Sequence, residues 1–162
     1  MEEGIIGKLA ANNLKLAQFC GFNQIELELK SKTKEGILKE LSELLANSPN
    51  IDDVDSVYEA LIEREHLAST GMGLGVAVPH GRSAKCKGLT IAFGRSLEGV
   101  DFDAVDGEPV YLFFAILVPI TSIHLHLQIL ASLSLMLRDE ENRRKLMEAE
   151  FPQQILDFLN GQ

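Results

Sequence analysis

The stretch Ser69-Thr70-Gly71-Met72-Gly73-Leu74-Gly75-Val76-Ala77-Val78-Pro79-His80-Gly81 carries the strongest structural signals in this chain of 162 residues. Its three glycines at a spacing of two permit positive φ angles and close approach of other groups. The β-branched run before Pro79 is typical of a short buried strand, and a proline belongs at a strand end or an edge because it has no N–H to donate. We therefore expect His80 at the C-terminal tip of the strand, with Gly81 turning the chain and leaving the imidazole accessible. A histidine there is largely neutral and nucleophilic at cellular pH.

The composition is that of a single globular domain with an acidic surface. Apolar residues make up 46% of the chain and charged residues 24%, with a net charge of −9, so the basic footprint of a nucleic-acid-binding protein is absent. The most apolar run, Val110 to Ile120, is too short to span a bilayer as a helix, and no signal-peptide pattern opens the chain. Cys20 and Cys86 form no framework and are expected to be free thiols. We predict a cytoplasmic protein with no nucleic-acid partner and no direct membrane insertion.

Strands and helices alternate along the chain. We predict strands over 25–29, 75–79, 89–95 and 110–119, the last of them apolar enough to be covered on both faces. The predicted helices cover about 32–46, with Thr33 or Ser31 as N-cap, and then 53–65, 122–138, 140–149 and 152–160. The segment 96–109 is predicted as a loop. This order indicates an α/β fold in which a mixed central β-sheet is sandwiched by helices on both faces. Residues 21–162 form the predicted domain, and residues 1–20 form a helical arm packed on or near it.

The motifs resemble those of one protein family. Arg64-Glu65, Ser69-Thr70-Gly71 and Gly75-Val76-Ala77-Val78-Pro79-His80-Gly81 resemble the active-site stretch of the type-2 IIA components of the phosphotransferase system, which include the mannitol, fructose and nitrogen-regulatory IIA proteins. The resemblance continues through 99–110 to His124-Leu125-His126 and covers about 24–160. It implies the same sandwich fold and a phosphoryl group carried on His80 as a tele-phosphohistidine. It implies an HPr-like carrier as the donor, and no metal or organic cofactor.

The resemblance leaves two functional branches open. In one, the phosphoryl group passes to the cysteine of a IIB component of a fructose- or mannitol-type sugar transporter. In the other, the phosphorylation state is a regulatory signal that changes which target protein is bound, as the nitrogen-regulatory name suggests. The stretch 115–126 resembles the nitrogen-regulatory type, whereas 92–103 and 112–114 look more like the fructose type.

The second histidine of the family's active site matches His126, with His124 as the alternative. Both are predicted near the start of a helix, where residues two apart project about 200° apart, so only one can face His80. We expect His126 to be the one and to donate a hydrogen bond to the phosphoryl oxygens.

Further side chains are predicted to bind or support the phosphoryl group. The guanidinium of Arg64 suits phosphate oxygens, although an arginine at a helix C-terminus also complements the helix dipole. Ser69 and Thr70 supply hydroxyl or backbone donors, unless they serve only the turn. Gly81 is placed with this support set, and Arg82 is expected to contact the phosphoryl group or the partner, unless it is simply an exposed residue.

Two other chemistries fit the sequence less well. The run of glycines invites a dinucleotide site, but that fingerprint needs a strand before the glycines and a helix after them, and here the predicted order is inverted. A zinc-dependent hydrolase would use His80, His124 and His126 with Cys86 or an aspartate. A His-x-His pair shares a face only on a strand, and the periodicity after Ser122 favours a helix.

Overall fold

The computed structural model describes residues 15–161. Most of the predicted N-terminal arm, residues 1–14, lies outside this range, and its last part forms a 3₁₀ helix, Leu16–Phe19, followed by a second one, Phe22–Gln24. Within the described part of the chain, no helix combines the length and the apolar character that crossing a membrane requires.

Within residues 15–161, six strands form one mixed sheet. Their order is β1-β5-β6-β3-β2, and β4 pairs with β6 beyond the end of β3. Strands β3 and β4 both run parallel to β6, whereas β5 runs antiparallel to it. The central strand β6 therefore aligns β3 and β4, the two short strands on either side of Pro79. The strands are β1 Ile25–Glu26, β2 Gly71–Gly73, β3 Val76–Ala77, β4 His80–Arg82, β5 Thr90–Val100 and β6 Val110–Val118.

In the part of the chain that the structure describes, five α-helices cover the sheet. They are α1 Lys34–Ala46, α2 Val54–Leu67, α3 Ile123–Arg138, α4 Glu140–Glu148 and α5 Pro152–Leu159. The N-cap of α1 is Thr33, whose side chain accepts a hydrogen bond from the N–H of Gly36, and Asp53 caps α2 in the same way. Such caps satisfy backbone donors that have no partner within the helix.

The core has two layers, one on each face of the sheet. Leu112, Phe114, Ile116 and Val118 of β6 pack with residues of α3, α4 and α5, whereas Phe113, Ala115 and Leu117 pack with α1 and α2. Alternate residues of a strand point to opposite faces, so a strand buried on both sides must be apolar throughout. The predicted mixed sheet between two helical layers is confirmed.

Two predicted strand ends differ from the structure. Strand β1 ends at Glu26 rather than at Leu29, because the carbonyl of Leu27 accepts a hydrogen bond from the Arg95 side chain instead of a strand partner. Strand β5 continues to Val100, where Val100 pairs with Val110 past an irregularity in the ladder, so the predicted loop starts five residues too early.

The sequence predicts no strand between the helix 53–65 and residue 75, yet part of the glycine stretch forms strand β2. Strand β2 pairs with β3 through a tight turn in which Gly73, Leu74 and Gly75 all have positive φ, between 59° and 88°. Strand β4 was not predicted at all. His80 therefore opens a strand rather than ending one, and Gly81 lies within β4, paired with Leu117, instead of turning the chain.

Candidate functional site

The ring of His80 is held in one tautomer by its own backbone surroundings. Its Nδ1 lies 2.8 Å from the carbonyl oxygen of Val78. A carbonyl only accepts hydrogen bonds, so Nδ1 carries the proton in the neutral ring and Nε2 keeps its lone pair. Pro79 sits between β3 and β4, and its carbonyl accepts from the N–H of Ile116, which fixes the backbone directly before His80 to β6. The chemistry available to His80 is therefore nucleophilic attack through Nε2.

His126 lies against His80. The centroids of the two rings are 5.2 Å apart and the rings are nearly perpendicular, at 72°. His126 is in the first turn of α3 and only 8% exposed, whereas His124 is exposed, as the helical geometry requires of residues two apart. The pair His124 and His126 consequently shares no face. Among residues 15–161 no three His, Cys, Asp or Glu side chains are placed to hold a metal ion.

Both histidines of the pair are shifted toward the neutral form. Burial lowers the pKa of His80 below its ordinary value, an effect that the hydrogen bond to Val78 opposes and the charge of Arg64 reinforces. Burial, together with His80 and Arg82, lowers the pKa of His126 to about 4. Removing an imidazolium from water is unfavourable, and nearby cations add to that effect. At neutral pH the site holds two uncharged imidazoles.

Two arginines lie beside the histidine pair. A depression of about 320 Å³ is lined by Ala60, Glu63, Arg64, Leu67, His80, Gly81, Arg82 and His126. Arg64, in the last turn of α2, also donates from Nη1 to the carbonyl of Ala68, 3.0 Å away. Arginine is permanently charged and presents several donors, which suits an anionic group with several oxygens. The depression thus combines a nucleophilic nitrogen with cationic donors.

The predicted support residues occupy different positions. The hydroxyl of Ser69 donates to the carbonyl of Phe102 and accepts from the N–H of Gly71. The hydroxyl of Thr70 donates to Glu65 and is buried. Neither residue lines the depression. Gly81 lines it, and a Cβ at Gly81 would lie 2.9 Å from the carbonyl carbon and oxygen of Ala60 in α2, so only glycine allows the helix this close.

Sequence reasoning gave Glu65 no role, although it is one of the few buried charged residues, at 6% exposure. A signal was present: the buried residues of α2 are Val57, Leu61 and Glu65, at a spacing of four along one helix face. A carboxylate at a core position of an amphipathic helix indicates a specific partner. Its partners, Lys34 and Thr70, come from elements that the sequence does not bring together.

Several large apolar side chains are exposed at positions near Arg64 or His126 in the sequence. Leu67, which lines the depression, is 79% exposed, and Ile120, Ile123 and Leu127 around the start of α3 are 50–59% exposed. We call these four residues the apolar rim. Large apolar residues that are exposed near a functional site are typical of a surface that contacts another protein.

Comparison with known proteins gives a consistent result. The family model "Phosphoenolpyruvate-dependent sugar phosphotransferase system, EIIA 2" matches residues 18–162. The chain is 45% identical over 135 residues to the fructose-specific EIIA component of a phosphotransferase system from Haloferax volcanii, a match that covers 83% of this chain and 88% of the relative.

Solved structures agree with the fold. The nitrogen regulatory protein IIA-Ntr of Neisseria meningitidis superposes with a TM-score of 0.83 at 36% identity, covering 88% of this chain and 97% of that one. The mannitol enzyme IIA of Escherichia coli, solved in complex with phosphorylated enzyme IIB, superposes with a TM-score of 0.72 at 27% identity over 88% of this chain and 97% of that one.

Proposed function

The chain belongs to the EIIA type-2 family of the phosphoenolpyruvate-dependent sugar phosphotransferase system, whose members are phosphocarriers, and from this premise we propose that it carries the phosphoryl group on Nε2 of His80. The observation that supports this assignment best is the hydrogen bond between Nδ1 and the Val78 carbonyl. It fixes the proton on Nδ1 and leaves Nε2 as the free nucleophile in a depression lined with arginines. A phosphoryl group on Nε2 is the tele-phosphohistidine that the family resemblance implies.

The transfer exchanges one P–N bond for another. The donor is the phosphohistidine of an HPr-like carrier. The lone pair of His80 Nε2 attacks phosphorus in line, the bond to the carrier's nitrogen breaks, and that nitrogen keeps the bonding pair. The proton stays on Nδ1 throughout and remains hydrogen-bonded to the Val78 carbonyl. The transition state is loose, so positioning and charge stabilisation account for most of the catalysis.

Arg64, Arg82 and His126 are the proposed stabilising groups. The two guanidinium groups offer donors to the equatorial oxygens and complement their charge. Nδ1 of His126 is buried and has no hydrogen-bond partner within residues 15–161. Buried polar atoms are rarely left unpaired in native proteins. A phosphoryl group on His80 would bring acceptor oxygens next to this imidazole, so His126 would donate to them as a neutral N–H.

The apolar rim is the proposed docking surface for the carrier. Both the donor and the acceptor of a phosphorelay must reach the same nitrogen, so one surface around His80 serves both in turn. We propose a IIB component as the acceptor, which takes the phosphoryl group on a cysteine. The E. coli relative solved with phosphorylated IIB and the fructose-specific relative support a sugar-transport role. The IIA-Ntr structure supports a regulatory role as the second candidate.

Intact-mass measurement after incubation with phosphoenolpyruvate, enzyme I and HPr tests the acceptor. We expect one acid-labile phosphate on the wild type and none on His80→Gln. His66→Gln is the matched control, because His66 is an exposed histidine at the end of α2, and it should gain one phosphate. Stoichiometric phosphate on His80→Gln would disprove the assignment.

A second step distinguishes the two branches. The phosphorylated chain is mixed with a fructose-type IIB protein, and the loss of its phosphate is followed by mass. Rapid transfer to the IIB cysteine supports sugar transport. A phosphoryl group that stays on the chain while binding to a regulatory target changes with phosphorylation supports the signalling role.

A further inference from the structure

Glu65 is at the centre of a buried polar network next to the histidine pair. One oxygen of its carboxylate accepts from the backbone N–H of Thr70 at 2.8 Å, and the other accepts from the Thr70 hydroxyl at 2.7 Å. The ammonium group of Lys34 lies 3.0 Å from the carboxylate, and the Glu65 side chain is only 3% exposed. A buried carboxylate is stable only with an opposite charge and several hydrogen bonds. Glu65 has both, and they hold Thr70 in a single orientation.

The network continues from Thr70 to the proposed nucleophile. The carbonyl of Thr70 accepts from the N–H of Val78 at 3.1 Å. The carbonyl of Val78 in turn binds Nδ1 of His80 at 2.8 Å. Val78 is thus held on one side by a residue that Glu65 fixes, and on the other side it fixes the imidazole. Two hydrogen bonds and one residue of extended chain separate Thr70 from the His80 ring.

The far end of the network is anchored to two other parts of the fold. Lys34 is the first residue of α1. It lies 3.5 Å from Asp103 and 4.8 Å from the centroid of the Phe102 ring, in the loop after β5. Glu65 itself follows Arg64 directly in α2. One carboxylate therefore ties the helix that presents Arg64 to the backbone that presents His80, with α1 and the loop as a rigid support.

We propose that Glu65, held by Lys34 and acting through Thr70 and Val78, is a positioning residue that sets the tautomer and orientation of His80 for phosphoryl uptake. The inference rests on the proposed function of His80. Because the Val78 carbonyl accepts the hydrogen bond from Nδ1–H, a shift of this carbonyl would release Nδ1 and allow the proton to move to Nε2, which removes the nucleophilic lone pair. A displacement of about 1 Å at a reacting group can cost about 100-fold in rate.

The test compares Glu65→Gln and Thr70→Val with the wild type. Glu65→Gln removes the charge that pairs with Lys34, and Thr70→Val removes only the hydroxyl. Glu59→Gln is the matched control, since it neutralises an exposed glutamate of the same helix. Two quantities are measured: the fraction of His80 in the Nδ1–H tautomer, by imidazole ¹⁵N NMR, and the kinetics of uptake from phospho-HPr.

We expect both test variants to lose part of the Nδ1–H population. Their kcat should fall roughly tenfold with little change in KM, because the docking surface is untouched. Thr70→Ser should restore both quantities, and Glu59→Gln should match the wild type. A residue with only a structural role would lower the melting temperature but leave the tautomer and kcat unchanged, and that result in folded variants would overturn the proposal.

The NMR measurement needs no phosphoryl transfer. If the wild type takes up no phosphate, the proposed function fails, while the tautomer fractions still show whether the network orients His80. If Glu65→Gln does not fold, Thr70→Val and Thr70→Ser decide alone, since the Thr70 backbone groups that bind Glu65 and Val78 are kept in both.

Discussion

The two imidazoles of His80 and His126 are close enough that protonating both is unfavourable. Their centroids are 5.2 Å apart, and Arg64 and Arg82 lower the pKa of each further. Arg64 and Arg82 supply the positive charge of the site, so neither histidine has to be protonated to provide it. Neutral histidines with lowered pKa values keep the nucleophile available in mildly acidic conditions, where a free histidine is mostly protonated.

His126 also couples the stability of the fold to pH. Its pKa is lowered to about 4 in the folded protein from about 6.5 in an unfolded chain. Between these values the unfolded state binds more protons at this position than the native state does, so acid favours unfolding. The contribution of His126 to the free energy of unfolding is therefore highest above pH 6.5 and falls as the pH drops toward 4.

Replacing His126 by glutamine should remove this pH dependence. We expect the free energy of unfolding of the wild type, measured by urea denaturation, to fall relative to that of His126→Gln by about 1–3 kcal/mol between pH 7 and pH 4.5. The comparison cancels the titration of groups common to both proteins. A difference between the two proteins that stays constant with pH would contradict the burial argument.

Among the secondary-structure elements, the contact of α2 with β4 is decisive for the site. Helix α2 supplies Arg64 and Glu65, and β4 supplies His80, so their separation fixes the depression. Gly81 makes this separation small, since a Cβ there would lie 2.9 Å from the Ala60 carbonyl group. Contacts this short cannot be relieved by a side-chain rotation, because the obstructing atoms belong to the helix backbone.

We expect Gly81→Ala to push α2 away from β4. The free energy of unfolding should fall by about 1–3 kcal/mol, as in other overpacked interiors, and phosphoryl uptake should fall with it. Gly107→Ala is the control, because its Cβ meets no atom within 4 Å and only its φ of +72° causes strain, worth about 1–2 kcal/mol. Gly107→Ala should lose stability in a urea titration but keep its uptake rate; equal rates in both variants would refute the role of the contact.

The elements that the sequence predicted well are those with a periodic pattern or a long apolar run. The apolar run of β6 and the Thr33 cap of α1 follow from the interactions of residues near one another in the chain. Strands β2 and β4 were missed because each has three residues, too few for a period, and exists only through pairing with β3 and β6. The same limit applies to Glu65, whose burial could be inferred from its spacing but whose partners could not.

At the scale of the whole molecule, the surface proposed to bind the carrier is distinct from the residues proposed to transfer the phosphoryl group. Leu67 of the apolar rim lines the depression that contains His80, and none of the four rim residues has a role in the proposed chemistry, so their loss should weaken binding of the carrier and leave the transfer step intact. We expect Leu67→Ser and Leu127→Ser each to raise the KM for phospho-HPr roughly fivefold, which corresponds to about 1 kcal/mol of lost apolar burial. The kcat should stay within twofold.

Phe151→Ser is the matched control for the rim. Phe151 is 63% exposed and lies at the N-cap of α5, outside the depression. Phe151→Ser should change neither the KM for phospho-HPr nor the kcat. If Phe151→Ser raised KM as much as the rim variants do, the docking surface would have to be placed elsewhere on the molecule.

Arg95 of β5 connects the segment after β1 with the end of α4. It is buried, and its guanidinium donates to the carbonyls of Leu146, Met147 and Ala149 at the end of α4 and to that of Leu27 after β1. At the end of α4, the carbonyls of Leu146, Met147 and Ala149 have no later N–H group of the helix to donate to them. A cation at this position also complements the helix dipole. A single side chain thus fixes the C-terminal helices to the sheet edge.

We expect Arg95→Leu to lower the free energy of unfolding by about 3 kcal/mol, because buried carbonyls are left without donors. Amide hydrogen exchange should show the loss of protection in α4 and α5 before α1 and α2. Arg144→Leu is the control: it removes an arginine from the exposed face of α4, where it pairs with Glu141 and Glu148, and surface pairs contribute about 1 kcal/mol or less. Uniform loss of protection over both layers in Arg95→Leu would mean that the C-terminal helices unfold only with the whole domain, and the anchoring role would be wrong.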